Sequence, residues 1–251
     1  MANDPFDFPD DLDLDDYLGS NGPDDFKGDD GADFFYGRDG DDVIRGAGGH
    51  DGLAGGDDED SIEGGADGDA LLGGGGDDTI NGGSGSDSVA AGSSDDIVHG
   101  GSGRDFISGD SGDDAVSGAG GDDVLFGASG ADTLRGGIGD DILTGGSGDD
   151  QLSGGKGEDR FVIEDAGRDA VLDFSKTKDV LDFSATGVDS LRDLDNIAHN
   201  EGGDLLIDFG GGDVVTIKDT VFADLDKHNT DFRPTQDDFS DKIPDFDDLF
   251  G

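Results

Sequence analysis

The sequence predicts an all-β fold: a solenoid of short stacked strands closed by a small, mostly-β cap. Two observations carry the solenoid. From Gly28 to Val162 the chain divides without remainder into fifteen nine-residue units on the pattern G-G-x-G-x-D-x-U-x, U being a large apolar residue. The sixth position is Asp every time: Asp33, Asp42, Asp51, Asp60, Asp69, Asp78, Asp87, Asp96, Asp105, Asp114, Asp123, Asp132, Asp141, Asp150 and Asp159. The eighth is apolar every time, from Phe35, Ile44 and Leu53 to Leu143, Leu152 and Phe161. A third observation carries the cap: after Val162 the period stops and short apolar runs take over.

Each unit reads as a six-residue turn and a three-residue strand. Glycine at positions one, two and four permits left-handed backbone and lets carbonyl oxygens turn toward a common centre, while the side chain at position eight points inward. Carbonyls plus a carboxylate make an all-oxygen site, which selects calcium over softer metals.

These repeats resemble the RTX (repeats-in-toxin) family. The resemblance implies a parallel β-roll in which two nonapeptides complete one turn, so that alternate loops stack on one edge with calcium between them. Asp78 and Asp96 would then face one ion, all fifteen aspartates become candidate ligands, and about thirteen inter-loop gaps result. Some units depart from the pattern: Asp58, Asp67 and Ser94 replace the fourth-position Gly, and Ala91 the first. Ser94 suits a left-handed position less well than Asp does, so weaker occupancy is expected around units seven to ten.

Composition narrows the partners. With 64 acidic and 15 basic side chains in 251 residues the formal charge is −49, a surface that repels phosphate backbones and anionic lipid. Nucleic acid and membrane insertion are therefore excluded as expectations. Fifty glycines and 31% hydrophobic residues would by themselves suggest disorder, and the fixed register overrides that only if metal supplies cohesion. About thirteen calcium ions would take −49 to roughly −23, so binding and folding should be one event. The chain has no cysteine, and it begins without a basic n-region or a long apolar run. The resemblance implies type I secretion, with export machinery reading an uncleaved C-terminal signal and calcium outside the cell driving folding.

In order, residues 1–27 read as a flexible acidic arm, with capping of the first turn as the lesser alternative. Asp11, Asp13 and Asp15 open like an EF-hand loop, but Asp16 stands where its Gly belongs and Gly22 where its Glu belongs. Residues 28–162 form the roll. Positions seven and nine face outward, and sorting them by unit separates an odd face bearing Phe34, Tyr36, Leu72, Phe106, Val124, Phe126 and Ile142 from a polar even face bearing Arg45, Glu63, Asn81, His99 and Arg135, with Val43 and Ile97 as exceptions. Phe106, Val124, Phe126 and Ile142 should form an apolar patch covered by the chain itself or by a partner. Residues 163–233 read as the cap: strands at 161–163, 170–174 and 180–183, a helix from Leu191 to His199 capped by Asp189-Ser190, a hairpin across Gly210-Gly211-Gly212, a short helix over 221–227 and a last run at 230–232. The phrase DFSKTKDVLDFSATG resembles the segment that follows RTX arrays and closes the last turn. Residues 234–251 form an acidic tail that resembles a type I export signal.

No catalytic constellation emerges. His50, His99, His199 and His228 lack zinc-ligand spacing, and neither H-E-x-x-H nor G-x-S-x-G occurs. The expectation is a secreted, extracellular, non-enzymatic calcium-binding protein that presents a rigid surface to a polysaccharide or a surface protein. The alternative is a calcium-dependent polysaccharide-binding module resembling the R-modules of alginate epimerases, with Arg45 and Arg135 on its contact face.

Overall fold

A computed structural model describes residues 18–164 and 167–232. Its strands are β1 (Asp25–Lys27), β2 (Phe34–Asp39), β3 (Val43–Gly48) and so on at nine-residue intervals to β15 (Gln151–Lys156), then β16 (Arg160–Val162), β17 (Arg168–Val171) and β18 (Val180–Asp182). The cap adds β19 (Ala198–Glu201), β20 (Asp204–Gly210), β21 (Asp213–Ile217) and β22 (Thr230–Asp231). Odd- and even-numbered strands sort into two sheets, each strand pairing in parallel with the strand two before and two after it through the array. Partners such as Ile44 and Ile62, or Leu53 and Leu71, are eighteen residues apart, so two units make one turn of a parallel β-roll.

The strands are longer than the sequence implies. β2 to β15 each span six residues, from position seven of one unit to position three of the next, leaving a turn of three. The reason is that pairing resumes beyond position one: Ser108 pairs with Phe126, and Asp110 with Ala128, skipping only the glycine between. Between the sheets the position-eight side chains stack into one column, with Ile44, Leu71, Ile80, Ile107, Leu125, Leu134, Leu143 and Phe161 fully buried. Burying an aliphatic side chain stabilises by about 1.5–3 kcal/mol, and the column has no break from end to end.

The roll starts earlier than Gly28. Strand β1 pairs with β3, Leu18 and Asn21 bridge to Tyr36 and Asp39, and the Phe26 ring stacks on Phe35 at 4.4 Å, closing the column at this end. Residues 18–27, expected within a flexible arm, are thus one more unit of the roll, half a turn. Residues 1–17 and 233–251, which hold the rest of the arm and the export signal, lie outside the described residues.

At the other end β17 and β18 continue the two sheets, and β21, β20 and β19 extend one of them, the last two pairings being antiparallel. The expected helix shrinks to one turn, α1 (Leu191–Leu194), with Ser190 Oγ accepting from the Asp193 N–H at 3.3 Å. Residues 198–201 instead form a hairpin with β20 across Gly202-Gly203, both at positive φ. Pairing at a sheet edge outweighs the modest helix propensity of His and Asn. The hairpin across Gly211-Gly212 is as expected, and the 221–227 helix is a single 3-10 turn at Phe222–Asp224. Val171, Leu181, Phe183, Leu205, Ile207, Val215 and Ile217 bury against the last turns of the column.

Candidate metal centre

Every turn carries its Asp to the mouth of a loop, and the loops alternate between the two edges of the roll. The backbone N–H of each Asp donates to Oδ1 of the Asp one full turn on: Asp60 to Asp78 at 2.8 Å and Asp78 to Asp96 at 2.7 Å on one edge, Asp69 to Asp87 at 2.8 Å and Asp87 to Asp105 at 2.9 Å on the other. Two carboxylate ladders therefore run the length of the roll.

Oδ1 has a donor, but Oδ2 has none. From Asp42 to Asp150 all thirteen carboxylates are 4% exposed or less, and not one Oδ2 meets a hydrogen-bond partner. A buried, unpaired carboxylate oxygen is costly, and a whole column of them needs a counter-charge.

The glycine at position one explains what lies opposite. Its backbone is not left-handed, as the sequence reading supposed; positive φ falls at positions two and four, as at Gly83 and Gly85. A Cβ on Gly82 would stand 2.5 Å from both Asp87 Oδ2 and the Gly100 carbonyl oxygen, and one on Gly100 2.5 Å from Asp105 Oδ2 and 3.0 Å from the Gly118 oxygen. Position one must be small because carboxylate and carbonyl oxygens converge on that spot. The cradle is all oxygen, built from backbone carbonyls and a carboxylate of each loop, and it suits a hard divalent cation. Among the described residues no three His, Cys, Asp or Glu side chains gather at one point, so carbonyls must complete any such cage.

Electrostatics agree with the geometry. Burial pushes the carboxyls of Asp78, Asp87, Asp114 and Asp141 up to about 7, and those of Asp60, Asp69, Asp96, Asp123 and Asp132 to about 6. The donated backbone N–H opposes that rise, and neighbouring aspartates such as Asp60 beside Asp78 reinforce it.

The end loops differ. Asp24 Oδ2 accepts from the Ser20 N–H at 2.6 Å, Asp33 Oδ2 from the Asp29 N–H at 2.9 Å, and Asp179 Oδ2 from the Ser175 N–H at 2.7 Å. Ser20 and Asp29 occupy position two without the positive φ found there from Arg38 onward, which turns their N–H groups inward. Of the fifteen expected ligands, Asp33 thus has its second oxygen occupied by its own loop. Asp159 is buried in its ladder and donates to Asp179 Oδ1 at 3.2 Å.

Sequence reasoning missed three ladder members: Asp24, Asp169 and Asp179. Gly19, Gly22, Asp24 and Phe26 spell the repeat one unit upstream, and Asp169-Ala170-Val171 and Asp179-Val180-Leu181 keep its Asp-x-apolar core. The other candidate groups do not converge. His50 Nδ1 lies 2.7 Å from the Gly68 carbonyl oxygen, far in the fold from His199 in β19, and Arg45 is paired with Asp25 at 2.8 Å. Four strands separate Arg45 in β3 from Arg135 in β13. On the odd face Phe106, Val124, Phe126 and Ile142 do share three adjacent strands and are half-buried, with the two rings 5.5 Å apart.

The profile of the RTX calcium-binding nonapeptide repeat matches residues 18–53, 54–89, 91–125 and 126–161, more than half of the chain. The chain belongs to the RTX calcium-binding repeat family. RTX nonapeptides bind calcium, and the buried aspartates and oxygen cradles of this roll fit that ion. The family match begins at residue 18, and Leu18 is bridged to Tyr36 in the roll. Two solved RTX-type structures are similar at 22% identity: the extracellular lipase LipA from Serratia marcescens, with a TM-score of 0.39 over 73% of this chain and 40% of the lipase, and the AlgE6R3 subunit of the Azotobacter vinelandii mannuronan C5-epimerase, with a TM-score of 0.33 over 57% of this chain and 81% of the subunit. The RTX chain thus spans less than half the lipase's length. No curated protein sequence matches it. No helix among the described residues is long and apolar enough to cross a membrane.

Proposed function

We propose that this RTX chain binds calcium between successive loops of each edge through its position-six aspartates, folds on doing so outside the cell after type I export, and presents the resulting rigid surface without catalysing a reaction. The observation that carries this reading is the column of orphaned Oδ2 atoms from Asp42 to Asp150. A cation placed there balances the buried charge and ties one turn to the next, which few apolar side chains could do alone. The thirteen orphaned oxygens suggest on the order of thirteen ions. The surface offered is a long, mainly polar sheet on one side, with Ile97 exposed in it, and, on the other, Phe34 and Tyr36 at 52% and 46% exposure, which suits a surface protein or polysaccharide partner outside the cell.

Circular dichroism and sedimentation velocity across a calcium titration test it. Strand signal and compaction should appear together as calcium rises and vanish with excess chelator. A compact, strand-rich chain in chelator at neutral pH would refute it.

A further inference from the structure

The two edges of the roll present the same Asp ladder and the same cradle, yet their remaining loop charges differ. Counting positions one to five, the loops of units two, four and on to fourteen carry nine net negative charges; those of units three, five and on to fifteen carry two. Position five accounts for most of the difference. On the even edge it forms a second acidic ladder immediately before the first: the Asp95 N–H donates to Asp77 Oδ1 at 3.2 Å, and the Asp113 N–H to Asp95 Oδ1 at 2.8 Å. On the odd edge the same position is His50, Gly68, Ser86 and Arg104 in turn, and an acidic ladder starts only at Asp122, which accepts from the Asp140 N–H at 3.0 Å.

We propose that the edges form two classes of calcium site: the even edge loads first, and the odd-edge run from Asp51 to Asp105 loads last, into a roll already formed. This rests on the calcium reading above and adds an order to it. Each of those odd-edge carboxylates has a buried, unpartnered Oδ2, so the sites are real cradles. Apart from Asp67 their loops carry no acidic side chain at positions one to five to draw a divalent ion, and Arg104 repels one. A unit charge some 7 Å from a divalent ion in a partly solvated loop changes its affinity about threefold or more.

The test is a calcium titration of the full chain followed by the backbone amide resonances of the position-six aspartates. The amides of Asp60, Asp78 and Asp96 should reach their calcium-bound positions at a free calcium concentration at least about threefold lower than those of Asp69, Asp87 and Asp105. In the double variant His50→Asp, Arg104→Asp the second set should move to lower calcium and the first stay in place. One midpoint shared by both edges in the unaltered chain, or a variant that shifts both sets alike, overturns the proposal. If no amide responds to calcium, it is the underlying calcium reading that fails.

Discussion

At the scale of single residues the roll is governed by where a side chain can be tolerated. Position one must be small because Oδ2 and a carbonyl oxygen occupy the volume of its Cβ, and position four takes φ near +130° at Gly76 and Gly103. Unit eight breaks both rules, with Ala91 fully buried at position one and Ser94 held at φ +91°. A left-handed non-glycine residue costs about 1–2 kcal/mol. Ser94→Gly should therefore stabilise the calcium-bound roll by about 1 kcal/mol, read as a higher thermal midpoint at fixed calcium; an unchanged or lower midpoint would contradict the strain argument. The identity of the aspartates was legible in the sequence because periodicity alone isolates them. Which of their oxygens lacks a donor was not, since that depends on the N–H of a residue eighteen positions away.

At the scale of elements, the six-residue strands, the added first unit and the cap decide where the column ends. The unit from Gly19 to Lys27 was hard to see because Ser20 replaces a glycine and Pro23 interrupts the loop, although Asp24 and Phe26 hold their places. The ladder beyond Val162 was hidden by drift: Asp150 to Asp169 is nineteen residues and Asp159 to Asp179 twenty, as the backbone bonds to their carboxylates record. In the cap, Gly202-Gly203 is a hairpin signal that the helical reading of Leu191–His199 passed over. The cap matters because the last turn of a repeat array has no successor to cover it. Leu181 in β18 lies against Phe161 in the register and is fully buried. Leu181→Ala should cost about 2–5 kcal/mol and raise the calcium concentration needed to fold the whole roll. Leu172→Ala, at a side chain 40% exposed, should change that midpoint little. Equal effects from the two would mean the cap does not hold the array closed.

At the scale of the whole molecule, acidity acts in opposite directions on the metal-free and the loaded roll. Burial places the metal-free Asp78, Asp87, Asp114 and Asp141 at about 7, above the unfolded value of 3.8. The folded chain therefore binds protons the unfolded one does not. The resulting stability is fully present below about pH 4 and is lost as pH rises through 6 to 7. In chelator, lowering the pH from 7 to 5 should increase strand signal. In calcium the same protons compete with the ion, so the calcium concentration for half-folding should rise over that interval. A calcium midpoint independent of pH between 7 and 5 would rule out these carboxylates as the ligands. The pairing offset of eighteen residues has one more consequence. A turn advances the roll by one strand spacing, about 5 Å, while the same stretch pulled straight spans about 60 Å. If ions wind the roll as proposed, each turn takes up a length of chain roughly twelve times the rise it adds, so calcium uptake would act as a chemically driven winch that draws the chain short.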